Sequence, residues 1–345
     1  MSFKNVVGHH HFVQRIALAV ARETLPQSLI LSGPSGVGKQ LIATSIAQVL
    51  NCADPVQTGQ QDSVCYDACG SCTSCQKIVR GVHPDVMFVS VLDDKSKIET
   101  DQIRHVIGQS KYRPFEGKKR VIVIVEADKL TFEAQNALLK SLEEPPDSSQ
   151  FILVAETLDV LLATVRSRCQ CLAFGRLDLE ELCELLVRNH NLTYDDARAM
   201  ALLAEGSIGR ALLLGSKEWV ATREESIGFL NSIASARDTR TRLESAEDFV
   251  TASAKAKKGT SFQRKELELR FQCLGSFLRD MVLIRSSGDL NTLSNIDFLD
   301  QLMSLSNDFV VSRAVKGFSA VDEASKAVKA NANPKVVIDW LACQL

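Results

Sequence analysis

The sequence predicts an α/β fold: a parallel sheet with flanking helices, followed by an all-helical C-terminal half. Three observations carry this expectation. Short β-branched runs alternate with helical patterns through the first half of the chain. A glycine-rich loop joins the first of these runs to a helix. Seven of the eight prolines lie at or before Pro146, and beyond about Phe174 the apolar spacing is helical.

The elements follow in order. Leu29-Ile30-Leu31 reads as a buried strand, and Ile42, Ile46 and Val49 mark the apolar face of the next helix. Residues 121–125 form a second, β-branched strand. Thr131 is placed to cap a helix carrying Ala134, Leu138 and Leu142 at a spacing of four, which Pro145-Pro146 ends. Residues 151–154 read as a third strand. Residues 178–189 and 194–204 read as two short helices, and Gly206-Ser207-Ile208-Gly209 breaks the run. From about residue 216 the pattern is of longer amphipathic helices without a strand.

Composition narrows the function classes. The chain has 345 residues, is 45% hydrophobic and carries a formal net charge of −2. That balance argues against a whole-chain nucleic-acid or membrane binder. The stretch Lys255, Lys257, Lys258, Arg264 and Lys265 reads as a solvated loop or helix end. No apolar leader core opens the sequence, and no run is long enough to span a bilayer. A cytoplasmic protein without membrane contact is expected.

Gly33-Pro34-Ser35-Gly36-Val37-Gly38-Lys39 matches G-x-x-x-x-G-K between a strand and a helix. Glycines let backbone N–H groups turn toward phosphate oxygens, and the helix N-terminus adds partial positive charge. Gly33, Gly36, Val37, Gly38, Lys39 and Gln40 are the candidate nucleotide contacts, with Lys39 reaching the β- and γ-phosphates. The motif normally closes on Ser or Thr as a Mg²⁺ ligand, and here the residue is Gln40. The second Mg²⁺ group is normally an Asp at the end of a buried strand. That position reads Val125, with Glu126 next and Asp128 beyond. Two losses in one metal shell argue that hydrolysis was abandoned, while the glycines and Lys39 could still hold ATP or ADP without it.

Ten cysteines are present, and five fall between Cys52 and Cys75. Cys69, Cys72 and Cys75 repeat the C-x-x-C spacing. With a fourth thiolate from Cys52 or Cys65 they match a closed structural zinc site. Overlapping pairs favour metal over a redox dithiol. Arg166 and Arg168 follow the third strand. Such a pair is ordinary surface charge in most chains, but in an oligomeric NTPase an edge arginine can stabilise transition-state charge next door.

These residues together resemble the bacterial clamp-loader branch of the AAA+ ATPases. The resemblance rests on the phosphate loop, the cysteine insert and Pro114-Phe115-Glu116-Gly117 before a strand. It rests equally on 136–146 (Asn-Ala-Leu-Leu-Lys-Ser-Leu-Glu-Glu-Pro-Pro) and on Ser167-Arg168-Cys169. It is good to about Leu214 and weaker through the helical end, including Asn331-Ala332-Asn333-Pro334. Within the branch the chain most resembles the delta-prime type of subunit. The resemblance implies an AAA+ domain at 1–173 with a zinc module at about 52–75, a helical lid at 174–215 and a helical collar at 216–345. It implies zinc on Cys52, Cys69, Cys72 and Cys75, and Arg168 as a finger on ATP held by an adjacent motor subunit. It also implies partners: gamma/tau motor subunits and delta in a five-membered ring, the sliding clamp, and primer-template DNA through the assembly. The chain would be a component of a DNA-directed DNA polymerase, a nucleotidyltransferase, with weak or absent ATPase activity of its own. Gln40, Val125 and the lack of a sensor Thr near Ala155-Glu156 separate it from the motor subunits. Gly209 stands where those place a sensor arginine, with Arg210 one residue on. The alternative is a motor subunit with its own turnover.

Overall fold

The computed structural model describes residues 3–6, 8–58, 65–92, 95–190, 193–214, 217–236, 238–254, 260–286, 292–330 and 332–345. Two compact units emerge from the chain. The first comprises Met1–Leu185 together with Gly206–Gly209; the second comprises Leu186–Glu205 and Arg210–Leu345.

The first unit holds the strands β1 (Ser28–Ser32), β2 (Val56–Thr58), β3 (Cys65–Asp67), β4 (Val86–Val89), β5 (Arg120–Ile124), β6 (Ser149–Ala155) and β7 (Gln170–Ala173). Five of them form a sheet in the order β4-β5-β6-β1-β7, with every pairing parallel. The remaining two, β2 and β3, make a small antiparallel hairpin. The helices of this unit are α1 (His10–Ala21), α2 (Lys39–Asn51), α3 (Thr73–Val79), α4 (Thr100–Ser110), α5 (Phe132–Glu143) and α6 (Ala163–Arg166), with α7 (Leu179–His190) leading out of it.

Strand alternation sorts the core onto two faces. Leu29, Leu31, Val121, Val123, Ile152 and Val154 share one cluster with Ile16 of α1 and with Ile42 and Ile46 of α2. Cys52, Cys75 and Ile78 belong to the same cluster, so the cysteine insert is part of that wall. Ile30, Ile122, Ile124, Phe151 and Leu153 face the other way, onto Ile103 of α4 and Ala134, Leu138 and Leu142 of α5. Helices on both faces explain why the central strands are continuously buried rather than alternating.

The expected α/β sheet with flanking helices, followed by helices, is present. Thr131 caps α5, its hydroxyl accepting the Ala134 N–H at 3.2 Å. Four strands went unread in the sequence: β4 and β7 of the main sheet and both strands of the β2–β3 hairpin. The second strand also ends one residue early, at Ile124, although the Val125 N–H still pairs with the Val89 carbonyl at 2.8 Å.

The second unit is helical: α8 (Tyr194–Ala204), α9 (Ile208–Leu214, whose first two residues belong to the first unit), α10 (Lys217–Ser235), α11 (Thr239–Ala254), α12 (Thr260–Arg285), α13 (Leu299–Asp308), α14 (Val311–Lys329) and α15 (Pro334–Gln344). Asn333 caps α15 by accepting the Lys335 N–H at 3.0 Å, with Pro334 opening the helix. Lys255, Lys257, Lys258 and Asn331 lie outside the described residues; Arg264 and Lys265 fall in α12. Among the described residues, no helix is long and apolar enough to cross a membrane.

Candidate functional site

The phosphate loop runs from β1 to the N-terminus of α2, as the motif requires. Gly33 has φ 144° and Gly36 φ 76°. A Cβ on Gly33 would sit 2.1 Å from the Phe174 carbonyl oxygen, and one on Gly36 would sit 2.2 Å from Ser207 Oγ. Only glycine fits at either place. Val37 is buried in the core and anchors the loop from below, leaving its backbone as the part able to meet a ligand. Gln40 is exposed on the first turn of α2.

All four carbonyls from Gly33 to Gly36 accept a bond from inside the unit. Lys39 Nζ donates to the carbonyls of Gly33 and Pro34, the latter at 2.6 Å. Ser207 Oγ donates to the Ser35 carbonyl at 3.1 Å, and the Gly209 N–H to the Gly36 carbonyl at 2.9 Å. Lys39 is almost fully buried. Burial lowers its pKa from the usual 10.5, against the opposing pull of Glu156 and Asp128. The contact made by Gly206–Gly209 bridges more than 170 residues of sequence, and no local pattern announces it.

Val125 and Glu126 follow β5, and Asp128 lies on the short turn Ala127–Lys129. Its carboxylate accepts the Glu156 N–H at 3.1 Å, tying the end of β5 to the end of β6. Asp128 therefore carries a structural bond. Arg210 pairs with Glu205 at 3.1 Å within the second unit.

Four thiols converge beside α2. The sulfurs of Cys52, Cys69, Cys72 and Cys75 all lie within 4.8 Å of one another. Cys52 Sγ is 3.5 Å from Cys69, 3.9 Å from Cys72 and 3.7 Å from Cys75. Zn–S bonds of about 2.3 Å in a tetrahedron give S···S edges of about 3.8 Å, so the set has the shape of a closed zinc site. Backbone N–H groups point at the sulfurs: Cys69 to Cys52, Cys72 to Cys69 and Cys75 to Cys72, at 3.3–3.4 Å. The bond from the Cys72 N–H leads in bringing the Cys69 thiol down to about 6, while burial pushes Cys75 up. Cys65, the other candidate fourth ligand, lies at the start of β3 outside this group.

Asp85 gives the cysteine insert a rigid neighbour, and sequence reasoning missed it. This buried carboxylate accepts N–H groups from Phe115, Glu116 and Gly117 at 2.7–2.8 Å and the Arg120 guanidinium at 2.9 Å. Burial alone would raise its pKa, but the four donors outweigh that and hold it below 3.8. Next to it, Asn51 at the end of α2 accepts the N–H groups of Lys118 and Lys119 at 2.8 and 2.9 Å. The 115–119 segment therefore ties the base of the sheet to Asn51, the last residue of α2.

Arg168 follows α6 at the far end of α5. Its Nε and Nη2 both reach Glu143 Oε2 at 3.0 Å, and Nη1 donates to the Thr164 carbonyl at 3.1 Å. About a third of its side chain is exposed (31%), which leaves the guanidinium reachable from solvent.

Comparison with known proteins places this domain. Residues 8–178 match the family model described as "DNA polymerase III, delta subunit". The DNA polymerase III subunit tau of Escherichia coli is 32% identical over 218 residues, covering 62% of this chain and 32% of that protein. The delta-prime subunit of Pseudomonas aeruginosa is 34% identical over 140 residues, covering 41% of this chain and 40% of its own length. The chain thus spans well under half the length of either relative. A gamma subunit-related protein of Thermotoga maritima superposes with a TM-score of 0.42 at 16% identity, over 96% of this chain and 97% of that one. Residues 8–178 thus match the DNA polymerase III delta-subunit family model, and the chain is similar in sequence to the tau, gamma and delta-prime subunits.

Proposed function

We propose that the chain is a clamp-loader subunit of the delta-prime type in the DNA polymerase III holoenzyme. In this reading it helps to load the sliding clamp onto primed DNA, beside gamma/tau and delta subunits in a five-membered ring. It hydrolyses little or no ATP and donates Arg168 to ATP on a neighbouring motor subunit. Its own structural zinc sits on Cys52, Cys69, Cys72 and Cys75, and its lid and collar occupy 174–215 and 216–345.

The observation that carries the reading is the state of the phosphate loop. Lys39, the residue meant for phosphate oxygens, is bonded to Gly33 and Pro34, and the loop's next two carbonyls are taken by Ser207 and Gly209. ATP or ADP would enter only by displacing Lys39. Once bound, the nucleotide would meet Gln40 and Val125 in place of the two Mg²⁺ ligands, so hydrolysis lacks its metal shell. Arg168, by contrast, keeps a charged head at the surface, which is what action in trans requires.

The motor-subunit reading has one observation in its favour: the matches to tau and gamma run over 218 residues, longer than the 140 matched in delta-prime. ATP turnover by the isolated chain separates the two. Background-level turnover with added Mg²⁺ supports the delta-prime reading. Rates on the order of 1 s⁻¹ or more, abolished by Lys39→Ala, would replace it with the motor reading.

A further inference from the structure

We infer that Glu143 is a positioning residue for Arg168, and this rests on the finger role proposed above. Glu143 is the last residue of α5, where the unpaired carbonyl end of the helix favours a cation nearby. It takes both Nε and Nη2 of Arg168 on a single oxygen. Thr164 of α6 takes Nη1. A guanidinium carries five N–H donors in a rigid plane, so three are engaged and two remain for a phosphoryl group. With one edge pinned by Glu143, the plane of the fork is fixed before a neighbour arrives.

The same helix also holds the other end of the segment that carries Arg168. Buried Gln135 accepts the Leu162 N–H at 2.8 Å and donates to the Val160 carbonyl at 3.4 Å. Leu162 is the residue from which α6 starts. So α5 grips the turn at its beginning through Gln135 and at its end through Glu143. A long side chain left free at the surface would have to be ordered during each encounter. Pinning it in advance removes that cost and sets the approach direction of the charge.

The test uses the reconstituted clamp-loader complex with ATP, clamp and primed DNA. Four forms of this chain are compared: wild type, Glu143→Ala, Arg168→Ala and the double variant. Glu143→Ala is expected to lower kcat on the order of 10-fold, short of the ~100-fold that about 1 Å of misplacement can cost, with KM for ATP unchanged. Glu143→Gln keeps an acceptor oxygen and should recover much of the loss. In the Arg168→Ala background, adding Glu143→Ala should change nothing further. Melting temperatures of the single variants should match wild type, because an exposed pair adds little stability. An unchanged kcat in Glu143→Ala, or an equal drop in the Arg168→Ala background, overturns the positioning role while leaving the finger in place. No effect of Arg168→Ala itself would remove the finger reading and this inference with it.

Discussion

The ammonium of Lys39 lies 2.6 Å from the carbonyl oxygen of Pro34, inside the loop whose motif reserves that ammonium for phosphate. The loop thus answers its own lysine, and the Gly206–Gly209 segment answers the two carbonyls that remain. A nucleotide that takes the ammonium would have to supply more than the two Lys39 bonds return. Ser207→Ala removes the bond to the Ser35 carbonyl, an acceptor for which phosphate oxygens do not compete, and should leave the affinity for a fluorescent ADP analogue within about fivefold of wild type, the value of one hydrogen bond of ~1 kcal/mol. Lys39→Ala in the same titration should lower it. A Ser207→Ala protein that binds far more tightly than wild type would show that the segment does compete with nucleotide.

The glycines of the loop should rank by what surrounds them. Gly38 has φ 98°, and a Cβ added there would meet nothing within 4 Å, so Gly38→Ala should cost about 1–2 kcal/mol for the left-handed backbone alone. Gly33→Ala meets backbone at 2.1 Å and should cost clearly more. Urea denaturation of the two variants gives the order directly.

The cysteine cluster should hold one zinc per chain. Cys52→Ser, Cys69→Ser, Cys72→Ser or Cys75→Ser should each release it, while Cys65→Ser should retain it. Chelation should lower the melting temperature, because the thiols belong to the same core cluster as Ile46 and Ile78. Metal analysis beside thermal melts checks both points. Zinc lost from Cys65→Ser and kept in Cys52→Ser would contradict the assigned ligand set.

Asp85 should make the first unit acid-sensitive. Its pKa is lower folded than the ordinary 3.8, so its stabilisation is complete above that value and fades as pH falls through the folded pKa. Asp85→Ala strands the buried Arg120 guanidinium and should cost about 3–5 kcal/mol at pH 7. Below pH 3.8 the gap between variant and wild type should narrow. A gap that widens in acid would assign the stabilisation to some other group.

What the sequence disclosed depended on how local each signal was. The phosphate loop, the Thr131 cap and the stop at Pro145 are written in a few neighbouring residues, and they stand where expected. β7 escaped because it is short and only half-buried at its edge, with Gln170 and Ala173 exposed. β4 is four residues long and follows His83-Pro84-Asp85, which reads as a turn. Asp85 escaped for a different reason. A single acidic residue has no period, and its partners lie 30 to 35 positions away. The choice between Cys52 and Cys65 needed to know where α2 ends, and only three-dimensional packing supplies that.

A chain that assists catalysis at a neighbouring site must show its effect in the assembled complex. The most direct test is steady-state ATP turnover by the reconstituted complex in which only this subunit carries Arg168→Ala. Turnover at the site facing this subunit is expected to fall by ~10³–10⁵, the usual effect of losing an arginine finger, with complex assembly intact. An assembled complex whose rate at that site is unchanged would contradict it.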